Sequence, residues 1–252
     1  MTWVIGMARH LIGGVLVADV RVSFKGASEC DLIQKVHQVD PNVAIGFSGS
    51  VWFGFRMVED LRTFAQNFSG AGCAPIDTLV QGWYPRVAAA WQSAPAGEQS
   101  AGCSLLVVGA EEKRGFVNRN RGFCLRKPTF FPEEFGKKPI SIGSGSTVKK
   151  YQAALERDPL QWLKMVAQFN LMGGPLDPFG TIVGKTIARN PEPGISPHLH
   201  LCVVRCDDFI WGTNDRPLPR GGSFAMPPVA ADYTKFIQMS QALGLASDAA
   251  EA

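Results

Sequence analysis

The 252-residue chain has no CxxC pair; its six cysteines stand apart at Cys30, Cys73, Cys103, Cys124, Cys202 and Cys206. That spacing supplies neither a zinc knuckle nor a dithiol redox motif, so reduced thiols of an intracellular protein are expected. No apolar run approaches the ~20 residues of a membrane-spanning helix. No basic stretch leads into an apolar one, so no secretory signal is read. A soluble, cytoplasmic protein is therefore expected. The net charge is only +3, which gives no electrostatic ground for a nucleic-acid or membrane partner. Internal repeats and low-complexity segments are also lacking. His198 and His200 alternate on a presumed strand and so share a face, but no third ligand accompanies them. Satisfied strand histidines are expected there, with no metal and no other cofactor. Gly180–Thr186 has the composition of a phosphate loop. It is one residue short, because Phe179 stands where the first glycine belongs, so nucleotide binding is not expected.

What the chain has is apolar sequence in short blocks: 46% of residues are hydrophobic, enough for a sizeable core. Thr2–Arg9, Val15–Val22, Ile33–Val39 and Val43–Phe47 read as strands separated by tight turns, which predicts an antiparallel sheet. Val51–Phe68 places Phe53, Met57, Leu61 and Phe64 on one helical face, and a second helix is read over Ile76–Trp91. Leu105–Gly109, Gly115–Asn118, Cys124–Phe131 and Pro139–Ile142 read as further strands, and the basic run Lys113–Arg126 as a solvated hairpin. Val148–Glu156 and Leu160–Leu171 are expected helices. The Gly/Pro-rich stretch Gly173–Pro193 has no clear assignment. His198–Arg205 and Phe209–Trp211 close the strand set, followed by an extended segment Arg216–Pro228 and a helix in Ala230–Leu243. Strands, two helices, strands, two helices and strands predict an α+β fold of the four-layer α-β-β-α sandwich type. The expected organisation is one domain over 1–215 and a C-terminal extension over 216–252 with one helix.

Four features break this apolar pattern. Met1 precedes a small residue, which makes it a substrate for aminopeptidase removal; Thr2 then carries a hydroxyl nucleophile and a free amine together. Asp19 interrupts Val15–Val22, and an acid buried there needs a partner. Arg21, two residues on, shares its strand face; Lys35 is the other available cation. A lysine held beside an N-terminal threonine lowers the pKa of its hydroxyl or amine. Gly49 and the Gly143-Ser144-Gly145-Ser146 run both lie between a strand and a helix. There a backbone N–H can meet a developing oxyanion, and a serine hydroxyl can relay a proton.

These blocks resemble proteasome β-type subunits, including the bacterial HslV-like peptidases: Thr2-x-Val-Ile-Gly, Val-Leu-Val-Ala-Asp-x-Arg, Gln-Lys-Val-x-x-Val, Ile-Gly-Phe-Ser-Gly-Ser and Ile-Ser-Ile-Gly-Ser-Gly-Ser. They run in order over Thr2–Leu61 and return at Pro139–Glu156. The resemblance implies the N-terminal nucleophile (Ntn) hydrolase fold and a threonine peptidase. By motif, Thr2 matches the nucleophile, Asp19 and Lys35 the charged pair, Ser144 the serine near the amine, Gly49 the oxyanion donor and Arg21 a supporting arginine. Val22, Ile33, Phe47 and Val51 match positions that line the substrate side-chain pocket, and all are apolar, which implies cleavage after apolar residues. The late serine of the pattern matches Ser196, while Pro193 stands where its aspartate belongs. The family implies a polypeptide substrate, a homo-oligomeric ring and an ATPase unfoldase as possible partner. A catalytically silent scaffold and a small-molecule amidase of the same fold are the alternatives. A retained Met1 distinguishes the first; a small open oligomer distinguishes the second.

Overall fold

A computed structural model describes residues 2–9, 13–24, 28–68, 75–111, 119–136, 138–156, 178–206, 208–217 and 223–245. Strands β1 (Val4–Arg9) and β2 (Gly13–Asp19) pair antiparallel, Val4 opposite Ala18 and Arg9 opposite Gly13. Alternate residues of a strand face opposite ways, and here both faces are apolar. Val4, Ala8, Leu16 and Ala18 belong to one cluster; Ile5, Met7, Val15 and Val17 belong to another. Strands buried on both faces need cover on each, and that need organises the fold.

The first sheet runs β10 (Ile140–Ile142), β1, β2, β11 (Leu199–Val204), β12 (Phe209–Thr213). The second runs β5 (Val36–Asp40), β6 (Val43–Gly49), β7 (Cys103–Glu111), β8 (Arg119–Arg126), β9 (Glu133–Phe135). Every pairing in both is antiparallel. Val4, Leu16, Val36, Leu106, Val108, Cys124, Cys202 and Val204 form one cluster contributed by both sheets. Helices α1 (Val51–Phe68) and α2 (Ile76–Gln92) pack Phe53, Leu61, Leu79 and Trp83 against Ile45, Leu105 and Val107. Helices α4 (Lys149–Leu155) and α5 (Pro178–Arg189) pack Tyr151, Leu155, Val183 and Ile187 against Ile5, Val17 and Leu201. Each such side chain contributes about 1.5–3 kcal/mol by leaving water. The result is a mixed α+β fold with several sheets. Helix α3 (Ala96–Ala101) and two short ribbons, β3 (Arg21–Ser23) with β4 (Glu29–Asp31) and β13 (Arg216–Pro217) with β14 (Ser223–Phe224), complete it. Helix α6 (Tyr233–Ala242), capped by Asp232, sends Phe236 into the α1 cluster. No helix among the described residues is long and apolar enough to cross a membrane.

Several elements differ from the sequence reading. The expected strand Val15–Val22 breaks at Val20 into β2 and β3. The expected strand Ile33–Val39 begins only at Val36; Ile33 instead bridges Ala230 in parallel. Within the basic run read as a solvated hairpin, Arg119–Arg126 is an inner strand with Cys124 and Leu125 fully buried. Its Arg121 charge is met by Asp77 and Glu134. The strand read over Cys124–Phe131 stops at Arg126, before a cis Lys127–Pro128 bond. Gly180–Thr186 lies inside α5, so it is not a loop at all. The expected elements Gly115–Asn118 and Leu160–Leu171 lie outside the described residues.

Two core histidines predict acid sensitivity. His37 is buried against Phe47 and Phe55, and His200 leans on Trp211 with Nδ1 unpartnered among the described residues. Burial lowers each to about 4, against about 6.5 in an unfolded chain. The unfolded chain therefore takes up protons first as pH falls. Stability is full above pH ~6.5 and declines down to pH ~4, by up to about 3 kcal/mol per histidine. Urea melts at stepped pH should show this decline, and His200→Gln should remove about half of it. A midpoint constant across that window contradicts the assignment.

Candidate active site

The break at Val20 turns the chain where the charged residues gather. Asp19, the last residue of β2, is 1% exposed and bonded on both carboxylate oxygens. Oδ1 accepts from the Trp3 backbone N–H at 2.7 Å. Oδ2 accepts from the Arg21 backbone N–H at 3.0 Å and from Lys35 Nζ at 3.0 Å. Lys35, also 1% exposed, donates as well to the Arg21 carbonyl. Burial pulls the Lys35 pKa below the ordinary lysine value, and the Asp19 charge offsets only part of that. A buried ion pair satisfied by main-chain bonds on both partners is held in one geometry.

Thr2 lies one residue before the Trp3 amide that Asp19 holds. Its backbone N–H donates to Ser144 Oγ at 2.9 Å, and its carbonyl accepts from Gly145 N–H at 3.0 Å. Ser144 opens a 3-10 turn, Ser144–Thr147, directly after β10 and Gly143. Gly143 has φ +86, and a Cβ there would stand 2.3 Å from the Thr2 carbonyl oxygen, so only glycine allows the approach. While Met1 is attached, the Thr2 nitrogen is an amide; with Met1 removed, the same atom is the α-amine, already beside a hydroxyl.

Gly49 ends β6 with φ +94, and a Cβ on it would stand 2.2 Å from the Gly102 carbonyl. The next residue, Ser50, donates its N–H to that carbonyl, and its Oγ caps α1 by accepting from Phe53 N–H at 3.0 Å. Gly49 thus sits where a strand gives way to a helix N-terminus. A cleft of about 540 Å³ is lined by Thr2, Arg21, Lys35, Gly49 and Ser144, with Val22, Ile33, Phe47 and Val51 as its apolar wall. Of the residues matched to the family pattern, all but Asp19 and Ser196 line this one cleft; Asp19 is bonded to Lys35, and Ser196 bonds Asp31.

Arg21 behaves differently from the shared-face expectation. Its side chain bonds Asp31 at 2.8 Å, with Glu29 3.7 Å away, and makes no salt bridge to Asp19 among the described residues. The chain break at Val20 removes the period-2 relation that put the two on one face. Asp31 is the residue the sequence reading missed. Burial alone raises its carboxyl pKa, but bonds from Arg21, Ser196 and His198 outweigh that and hold it low. Ser196 Oγ donates at 2.6 Å, and His198 Nδ1 lies 2.9 Å away. Ser196, which has Pro193 where the motif expects an acid, thus finds a carboxylate on β4. Its only sequence signal was an acid, Asp31, just ahead of an apolar stretch. His198 faces Asp31 and Phe224, whereas His200 packs on Trp211. No cluster of three metal-ligating side chains occurs among the described residues. The chain matches no known family model and no curated protein.

Proposed function

We propose that the protein is a threonine-type peptidase of the N-terminal nucleophile hydrolase class, with the four-layer α-β-β-α sandwich of proteasome β-type and HslV-like subunits. The observation that carries this reading is the fully buried Asp19–Lys35 pair, clamped to the Trp3 amide directly beside Thr2. A lysine and an aspartate are costly to bury together. Their place directly beside Thr2 supports a chemical role for the pair.

Once Met1 is removed, the Thr2 hydroxyl attacks a peptide carbonyl in the cleft. Its proton passes to the Thr2 α-amine through a water, with Ser144 bonded to that nitrogen. The Lys35 charge favours the ionised oxygen as it forms. The oxyanion of the tetrahedral intermediate accepts the Gly49 N–H beside the α1 N-terminus. Collapse breaks the C–N bond, the amine returns the proton to the leaving nitrogen, and an ester remains on Thr2. Water then attacks the ester and releases the acid. The apolar wall of Val22, Ile33, Phe47 and Val51 favours an apolar side chain before the cleaved bond. A homo-oligomeric ring in the cytoplasm would confine this cleavage to unfolded chains, fed by an ATPase unfoldase.

The test is covalent. The purified protein is treated with an electrophile that captures N-terminal threonine, and the N-terminal peptide is read by mass spectrometry. The expected result is a peptide beginning at Thr2 that carries one adduct. A peptide that retains Met1, with no adduct, refutes the peptidase reading and favours the silent scaffold.

A further inference from the structure

The cleft has a second chemical character besides its apolar wall. Among its lining residues are four cations, Arg21, Lys35, Arg126 and Lys127, and no acidic residue. Two of the four are neutralised within the fold: Lys35 by Asp19, and Arg21 by Asp31 and Glu29. Arg126 has Glu133 at 3.4 Å, with both side chains well exposed. Lys127 has no ion-pair partner among the described residues.

Lys127 is exposed, and the outer part of its side chain passes beside Gly102. Gly102 has φ +74, and a Cβ built there would lie 3.3 Å from Lys127 Nζ, 3.4 Å from Cε and 3.9 Å from Cδ. The lysine stem is laid across the bare glycine that also abuts Gly49. A Cβ at position 102 would meet the lysine at close contact and require it to shift by a few tenths of an ångström. Register gives the distance involved: Gly49 pairs with Cys103, and Ser104 pairs with Arg126, so one strand separates Gly49 from β8. Two strand spacings are about 10 Å. Because the stem folds back over Gly102, the charge lies within about two or three residues of extended substrate from Gly49.

We propose that Lys127, assisted by Arg126, selects peptide substrates with an acidic side chain two or three residues from the bond cleaved. This rests on the peptidase reading and names its substrate class: an apolar residue before the cleaved bond and a carboxylate near it. The carboxylate meets an unneutralised cation in a cleft that offers no competing acid.

The experiment uses the full-length protein and peptides with one fixed apolar residue before the cleavage point. Asp, Gln or Lys is placed singly at the first, second or third position on either side, and kcat/KM is measured for each. The expected result is that Asp exceeds Gln by about five-fold at one position, less so in high salt. Lys127→Glu should invert that ratio in favour of Lys, and Lys127→Gln should erase it. No acid preference at a second or third position, or one unchanged by Lys127→Glu, overturns the proposal. In parallel, a labelled acidic peptide is titrated against Thr2→Ala and against Thr2→Ala with Lys127→Glu by fluorescence anisotropy. Weaker binding on charge reversal supports the proposal even if hydrolysis proves independent of Thr2. Thr2-dependent hydrolysis without charge preference sinks the proposal alone.

Discussion

Replacing Thr2 with alanine is expected to abolish peptide hydrolysis while leaving the fold intact. The loss should reach roughly three to six orders of magnitude in kcat, as when an enzyme loses its attacking oxygen. Stability should hardly change. The described bonds of Thr2 run through its main chain, to Ser144 and Gly145, and alanine keeps both. The side chain is only partly buried, so removing it leaves no large cavity. Thr2→Ser restores a hydroxyl and should restore a measurable fraction of the rate. Active-site titration beside thermal melts separates the two effects. If Thr2→Ala retains wild-type turnover, the nucleophile is another group and the mechanism above fails. The substitution does not change what is expected of Met1. A Thr2→Ala protein is expected to lose its methionine as the wild type is, because alanine is also small, so the loss of rate would not be ascribed to a blocked amine.

The parts of this fold legible in sequence were those where one physical rule acted alone. Helix α1 is legible with its observed ends, because Phe53, Met57, Leu61 and Phe64 keep the helical period after the Ser48-Gly49-Ser50 break; the structure adds the Ser50 cap. Strand β1 is legible because its apolar run is short, rich in strand-forming residues and closed by a turn, although both of its faces are buried. The reading failed where tertiary context overrode composition. Helix α5 was hidden in a Gly/Pro-rich stretch, because Val183 and Ile187 pay for Gly180 and Gly184 only by packing beneath the first sheet. The basic character of β8 concealed an inner strand, since its arginines find acids, Asp77, Glu133 and Glu134, on other elements. In the candidate site, Asp19 was conspicuous as an acid inside an apolar run, and Lys35 by itself was not. Nothing in the local sequence distinguishes a lysine 1% exposed from one on the surface. Asp31 was invisible for a related reason: its partners Ser196 and His198 are about 165 residues away.

Breaking the buried pair should have the second large effect, and it divides stability from catalysis. Lys35→Met fits the space but leaves the Asp19 carboxylate buried with only the Trp3 and Arg21 amides to bond it. The expected cost is about 3–5 kcal/mol, the usual result of stranding one buried charge. Asp19→Asn strands the lysine instead and should cost a similar amount. Combining the two removes both charges, so the double variant should recover most of the lost stability. Activity should follow another course. In the proposed mechanism Lys35 supplies the charge that favours the ionised Thr2 oxygen, so every variant lacking it should lose about 10²–10⁴-fold in kcat, the double variant included. The pH profile gives an independent reading. Burial holds the Lys35 pKa below the ordinary lysine value, so the cation is lost earlier as pH rises. The alkaline limb of the wild-type rate should therefore fall below the pH at which an exposed lysine deprotonates, and Lys35→Met should lack that limb. Urea melts and rate profiles on the three variants measure both quantities. A double variant that regains stability and full turnover together would mean the pair serves folding only. A double variant that regains stability but stays inactive assigns it to the chemistry at Thr2.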